Sequence, residues 1–272
     1  MVDNCELEKI AQRLRRRVIQ MSHDAHAPHL GSSLSCIDIL VAAYWTAMQI
    51  DPHQPNDPQR DRLILSKGHA SAALYATLAE RGFFPSQLLA EYCQAGSSLA
   101  EQMAPNCVAG VEAATGSLGH GLSLGVGIAL AGRIQKQQFN VWVVLSDGEC
   151  NEGSVWEAAM MASAQKLGNL AVVVDYNGWQ ATGRSDDVLA ISPLKEKWQA
   201  FGFDTCEIDG HNFSSLTSAM ADLKMKTDQP SAIIAKTIKG RGVSFMEDDN
   251  NWHYRIPNDE ELQLALKELG AS

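Results

Sequence analysis

The chain has 272 residues, 45% apolar and 20% charged, which is enough for a sizeable buried core and excludes disordered and fibrous classes. Its 32 Asp and Glu against 22 Lys and Arg leave a net charge of −10, so binding to nucleic acid through a broad basic face is not expected, although backbone amides and a cation still allow a local anion site. The six cysteines are scattered without a C-x-x-C pair, and the start MVDNCELEKIAQRLRRR lacks the apolar centre of a signal peptide. These features suit reduced thiols in a cytoplasmic protein rather than a disulfide framework, a zinc site or a membrane protein.

No repeat or linker divides the chain, so residues 1–272 read as a single domain. Residues 6–22 have the spacing of an amphipathic helix, with Leu7, Ile10, Leu14 and Val18 on one face. The loop HDAHAPHLGSS leads to a second helix near Ser35–Ala47. A Pro- and Asp-rich turn precedes a short strand at Arg62–Leu65, and the loop SKGHAS opens a helix through Leu78. Residues 85–115 suggest a helix and an irregular loop, and TGSLGHGLSLGVGIALAG becomes a helix of small residues. Further on, Val141–Ser146, Leu170–Asp175 and Ser231–Ile238 are apolar runs of strand length, and Asn151–Lys166 has helical composition. Strand–helix–strand at this spacing makes a βαβ unit, whose strands are parallel and covered on both faces. The class is α/β, with a mainly parallel sheet and helices on both faces, and ligands of such sheets bind at the carboxyl ends of the strands.

The strongest local signal is LSDGECNEG followed by VVVDYNGW. Asp147 leaves one predicted strand and Asn177 leaves the next, so one crossover brings both side chains to the same crevice. A carboxylate, an amide oxygen and a nearby carbonyl form a hard-oxygen set, suited to Mg²⁺ or Ca²⁺ holding a diphosphate. Gly148 allows close backbone approach, and a helix beginning near Asn151 would turn its amide end to the phosphates. Either Asp-Gly or Asn-Gly alone is ordinary turn punctuation; it is their placement after two buried strands that marks a site. The glycines of GSLGHGLSLGVG do not follow the dinucleotide-binding order.

DGECNEG with Asn177 downstream resembles the thiamine diphosphate motif, with Ser146 in place of its first glycine. Together with DRLILSKGHAS, VEAATGSLGHGLSLGVGIALA, IDGHN and KTIKGRGVSFMEDDNNWH, it follows the order found in transketolases, most closely the N-terminal halves of split ones. The resemblance implies the thiamine diphosphate-binding fold of the family's diphosphate (PP) domain. It also implies transfer of a two-carbon ketol unit from a ketose phosphate to an aldose phosphate, with thiamine diphosphate and Mg²⁺ (or Ca²⁺). It makes Asp147, Asn177 and the carbonyl of Trp179 metal ligands, and sets Gly148 and Glu149 beside the cofactor. His69 and His211 are implied near the diphosphate, His211 facing the substrate as well, and His29 is implied as a substrate-side proton carrier. Gly116 and Leu118 match the loop against the cofactor rings, and Glu152 an acidic residue linking two active sites across a dimer interface.

The resemblance places the family's activating glutamate and its reader of the substrate phosphate on a second domain, expected to lie outside residues 1–272. A C-terminal partner subunit carrying the pyrimidine-binding domain is therefore implied, in a dimer of heterodimers. Gln102-Met103 stands where the family has His-Pro, Tyr254 where it has Gly after Trp-His, and Pro28-His29-Leu30-Gly31 where it has Gly-His-Pro-Gly. These departures point to a donor or acceptor other than the common pentose phosphates. A deoxyxylulose phosphate synthase-like or 2-oxo acid dehydrogenase E1-like enzyme component, and a non-catalytic binding module, are the alternatives.

Overall fold

The computed structural model describes residues 2–223 and 228–270. Helix α1 (Asn4–Ala25) is started by Asp3, whose side chain accepts from the Glu6 amide, and is ended by His26 in the left-handed region. It buries the expected stripe of Leu7, Ile10, Leu14 and Val18. The single helix expected near Ser35–Ala47 is instead α2 (Leu30–Ser35) and α3 (Ile37–Ala42), broken at Cys36 and followed by a π-helical turn, Ala43–Ala47. Serine hydroxyls explain the break: Ser33 donates to the carbonyl of His29 and Ser35 to that of Ser32, in competition with the backbone ladder.

Strand β1 (Arg62–Leu65) is followed by a 3₁₀ turn at Gly68–Ala70 and α4 (Ser71–Arg81). Residues 85–115 contribute a 3₁₀ segment, Ser86–Glu91, in place of an α-helix. Next come α5 (Gly121–Ile134), β2 (Val141–Ser146), a 3₁₀ turn at Gly148–Asn151 and α6 (Gly153–Ala164). That turn moves the expected helix start from Asn151 to Gly153. The remaining order is β3 (Leu170–Tyr176), α7 (Ser185–Val188), α8 (Leu194–Ala200), β4 (Asp204–Asp209), α9 (Phe213–Leu223), β5 (Ser231–Lys236) and α10 (Asp259–Glu268). Strand β5 stops short of the expected Ile238, whose amide donates to the His211 ring.

The strands form one parallel sheet in the order β1-β2-β3-β5-β4. Alternate residues of the central strands face opposite layers: Trp142, Val144, Val173 and Ile233 pack with α1–α4, α9 and α10, whereas Val143, Leu145, Val172 and Ile234 pack with α5, α6 and α8. Gly125 lets α5 lie close on β2, since a Cβ there would sit 2.5 Å from Val143. Among the described residues no helix is long and apolar enough to cross a membrane.

One buried ion pair ties the carboxyl end of this sheet together. Lys67, just past β1, donates to Asp175 of β3 at 2.5 Å and to the Ser32 carbonyl of α2 at 2.8 Å, and both charged side chains are fully buried. Asp175 also accepts from Ser35 at 2.6 Å and from Thr237 after β5. Burial opposes both charges, yet the pairing keeps Lys67 above and Asp175 below its ordinary pKa. Removing one partner of such a pair strands the other. Lys67→Met is expected to lower stability by about 3–5 kcal/mol, read from urea unfolding; an unchanged midpoint would contradict this role.

Candidate active site

Asp147 and Asn177 leave the adjacent tips of β2 and β3, where Ser146 pairs with Asp175. Asp147 is fully buried: its Oδ2 accepts from the Gly178 amide at 3.0 Å and the Ser185 hydroxyl at 2.6 Å, while Oδ1 has no partner. Burial pushes its pKa up to about 6, the Ser185 bond acting in the opposite sense. An unpaired, buried carboxylate oxygen is a costly feature unless a cation takes it.

Asn177 accepts from the Trp179 amide at 3.1 Å and opens a small hairpin in which Trp179 bridges to Arg184. Asp248 latches that hairpin, accepting from the Trp179 indole at 2.8 Å and bidentately from Arg184, which lies 3.7 Å over the Trp179 ring. Gly148 is required by the closeness of the two tips, since a Cβ there would be 2.8 Å from the Gln180 side chain. Gln180 Nε2 and Asn151 Nδ2 are also buried without partners.

Three histidines meet beside these tips. His29 caps α2 in the left-handed region (φ 68°), His69 lies in the turn after β1, and His253 ends the 3₁₀ segment Asn250–His253. The His29 centroid is 5.2 Å from that of His69 and 5.0 Å from that of His253, and Tyr254 packs its exposed ring against both His29 and His253. Lys239, fully buried, donates to Asn250 at 2.7 Å and to His253 Nδ1 at 3.0 Å. Burial, then the neighbouring Lys67, holds Lys239 down to about 8. Burial and Lys239 hold His253 at about 3, and burial with Lys67 holds His69 well below its ordinary value. His69 and His253 are thus neutral imidazoles, and His253, accepting at Nδ1, carries its proton on Nε2.

The other expected site residues divide. Gly116 and Leu118 lie in the loop before α5; the Gln102 side chain covers Gly116, beside a hollow of about 570 Å³ lined by Gln102, Thr115, Ser117 and Leu124. Glu152 is exposed at the start of α6, next to Gly119. Two of the expected residues are engaged by other parts of the fold. His211 does not join the histidine cluster: its Nδ1 pairs with Asp38 at 2.6 Å and its Nε2 accepts from the Ile238 amide at 2.8 Å. Asp38 in turn holds Arg15 of α1, so His211 braces the backbone just before Lys239. The Glu149 carboxylate points inward, accepting from Ser66, from the Gly119 amide at 2.8 Å and from the Ser146 amide at 3.3 Å. It fastens the turn after β2 to the loop before α5. Reading the sequence alone missed Lys67, Asp175, Lys239 and His253. The available hints were lysines soon after apolar strand runs, in RLILSK and SAIIAKTIK, and the Trp-His pair at Trp252-His253.

Comparison with known proteins gives a consistent result. Residues 7–272 match the family described as transketolase, thiamine diphosphate binding domain. The chain is 36% identical over 263 residues to one subunit of the apulose-4-phosphate transketolase of Phocaeicola vulgatus, covering 97% of this chain and 93% of that protein. It is 39% identical over 264 residues to the 6-deoxy-6-sulfo-D-fructose transketolase subunit SqwG of a Clostridium species, covering 97% and 96%. The crystal structure of transketolase from Campylobacter jejuni superposes with a TM-score of 0.93 at 28% identity, over 99% of this chain and 43% of that one. The chain therefore spans nearly the whole of the subunit relatives and less than half of the Campylobacter chain.

The buried Lys239 has a measurable consequence. An unfolded lysine keeps its proton to about 10.5, whereas Lys239 releases it near 8. Between these values the unfolded chain binds the extra proton, so stability rises with pH across that window. Urea midpoints of the cofactor-free chain are expected to rise from pH 7.5 to 9.5 relative to those of Lys239→Met; parallel pH profiles would contradict a charged, buried Lys239.

Proposed function

Because the chain belongs to the transketolase family through its thiamine diphosphate-binding domain, we propose that it is the diphosphate-binding subunit of a two-chain transketolase, transferring a two-carbon ketol unit from a ketose to an aldose. The observation that carries the site assignment is the unpaired, buried Oδ1 of Asp147 beside Asn177. That oxygen, the Asn177 amide oxygen and the Trp179 carbonyl would hold Mg²⁺, or Ca²⁺, and with it the diphosphate. Thiamine diphosphate, when bound, supplies the carbon nucleophile and the electron sink.

The chain's own residues bind, orient and move protons. Lys239 presents positive charge to the anionic end of the cofactor. His69 accompanies it on the diphosphate side. His29 and His253 face the substrate and form its proton relay. Gly116 and Leu118 line the cofactor rings. Glu152 belongs to a subunit contact, where α5 and α6 also expose Leu124, Met160 and Met161. His211 and Glu149 act through the backbone they fasten.

Both of these relatives are named as one subunit of a transketolase, which supports a partner subunit here. We assign that partner the pyrimidine-binding domain and place the pair in a dimer of heterodimers that works on sugar phosphates. Gln102 over Gly116 and Tyr254 against His29 both border the substrate side. They support a donor or acceptor other than the common pentose phosphates, so xylulose 5-phosphate is expected not to be the best donor in steady-state assays. The sugars in the two relatives' names, apulose-4-phosphate and 6-deoxy-6-sulfo-D-fructose, accord with varied substrates among such proteins.

Co-expression with the neighbouring reading frame is expected to give a complex that turns over a ketose panel with thiamine diphosphate and Mg²⁺ and releases no carbon dioxide from pyruvate. Carbon dioxide release would favour the E1-like or deoxyxylulose phosphate synthase-like alternative; a cofactor-loaded complex inert towards every ketose would contradict ketol transfer. Asp147→Asn is expected to abolish cofactor retention on gel filtration without lowering the urea midpoint of the cofactor-free chain, because it removes an uncompensated buried charge. A strongly lowered midpoint would make Asp147 a structural residue instead.

A further inference from the structure

Beside the histidines stands an acidic residue to which the proton relay assigns no part. Glu101 reaches His29 from the irregular segment before α5, with Oε1 2.8 Å from the ring Nδ1; the two side chains are 36% and 16% exposed. We propose that Glu101 is a positioning residue for His29: it fixes the imidazole with its proton on Nδ1 and leaves Nε2 as the proton-accepting atom that faces the substrate. This role rests on the ketol-transfer reading; the tautomer it specifies does not.

Both ends of the pair are held by regular structure. The His29 backbone is committed, its amide donating to the His253 carbonyl at 2.8 Å and its carbonyl accepting the Ser33 amide and hydroxyl, each at 3.1 Å. Glu101 is set by α4: the Ser71 hydroxyl donates to the Glu101 carbonyl and the Tyr75 hydroxyl to that of Ala100, at 3.1 Å. An ionised carboxylate only accepts, so the hydrogen in the 2.8 Å contact belongs to Nδ1. Nε2 of His29 has no hydrogen bond among the described residues. The rings facing His29 are those of His69, His253 and Tyr254, and Lys239 is bonded to His253.

His253 shows the opposite arrangement. Lys239 donates to its Nδ1, so its proton sits on Nε2. Two imidazoles with centroids 5.0 Å apart therefore present one acceptor and one donor, each set by a charged neighbour: an anion behind His29 and a cation behind His253. Such orientation of a histidine by a carboxylate is a general device for fixing the tautomer.

The test uses the full chain carrying ¹⁵N-labelled histidine, with the His29 signals identified by their loss in His29→Asn. Long-range ¹H–¹⁵N correlation at pH 7.5 is expected to show His29 protonated on Nδ1, and Glu101→Ala to move the proton to Nε2 in part or in full. In the reconstituted complex Glu101→Ala is expected to lower kcat about 10- to 100-fold with little change in the KM for thiamine diphosphate, and to lower it no further in a His29→Ala background. A wild-type His29 protonated on Nε2, a tautomer unmoved by Glu101→Ala, or losses that multiply in the double variant would each overturn the proposal. A complex that turns over no ketose would defeat the functional reading and leave the tautomer measurement to decide on Glu101.

Discussion

Two carboxylates, Asp147 and Asp175, are buried at the neighbouring tips of β2 and β3, and only one of them has a lysine bonded to it. This asymmetry organises the carboxyl end of the sheet. Asp175 is satisfied four times over, by Lys67, Ser35, Thr237 and the Asn177 amide, so it draws β1, β3, β5 and α2 to one point. Asp147 is held by Gly178 and Ser185 through one oxygen only and keeps the other empty-handed. The first carboxylate makes the scaffold rigid, and rigidity is what lets the second be kept in an unfavourable state. Strain and unmet polarity of this kind are characteristic of functional sites.

The loops around this pair follow from the parallel sheet. Each strand ends at the same edge, and four of the five following loops contribute to the cluster: Lys67 and His69 after β1, Asp147 after β2, Asn177 after β3, and Lys239 after β5. Two lysines and two carboxylates share a buried volume, and His69 and His253 beside them stay neutral because an additional positive charge there is disfavoured by burial and by the lysines. The chemistry attributed to the site uses that neutrality, since a relay needs imidazoles that can both give and take a proton. The supports lie outside the cluster: Arg15 and Asp38 hold His211, which holds the segment leading to Lys239, and Glu149 locks the turn after β2 to the loop before α5.

Much of the sheet could be read directly. VWVVLS and LAVVVD are apolar throughout because parallel strands are covered on both faces, and their polar exits named Asp147 and Asn177. Strand β4 escaped notice because DTCEID is an edge strand, half-exposed and rich in acidic residues, a pattern indistinguishable from a loop. The break at Cys36 depends on serine hydroxyls that chose carbonyls in their own turn. Lys67 and Lys239 look like surface residues in any local window, since their burial is licensed by Asp175, Asn250 and His253 brought in by the fold. The same limit hid what His211 and Glu149 are bonded to, since their partners Asp38, Ser66 and Gly119 come from distant segments. Thus the two strand exits that carry Asp147 and Asn177 were legible, and the network that holds the lysines and histidines was not.

The most direct measurement replaces the cation with one that can be located. Crystals of the chain with its partner, thiamine diphosphate and Mn²⁺ are expected to show an anomalous scattering peak within about 2.6 Å of Asp147 Oδ1, the outer limit for hard cation–oxygen bonds, with Asn177 in contact on the other side. A peak elsewhere, with Asp147 Oδ1 untouched in a cofactor-loaded crystal, would contradict the assignment of that empty oxygen to a metal.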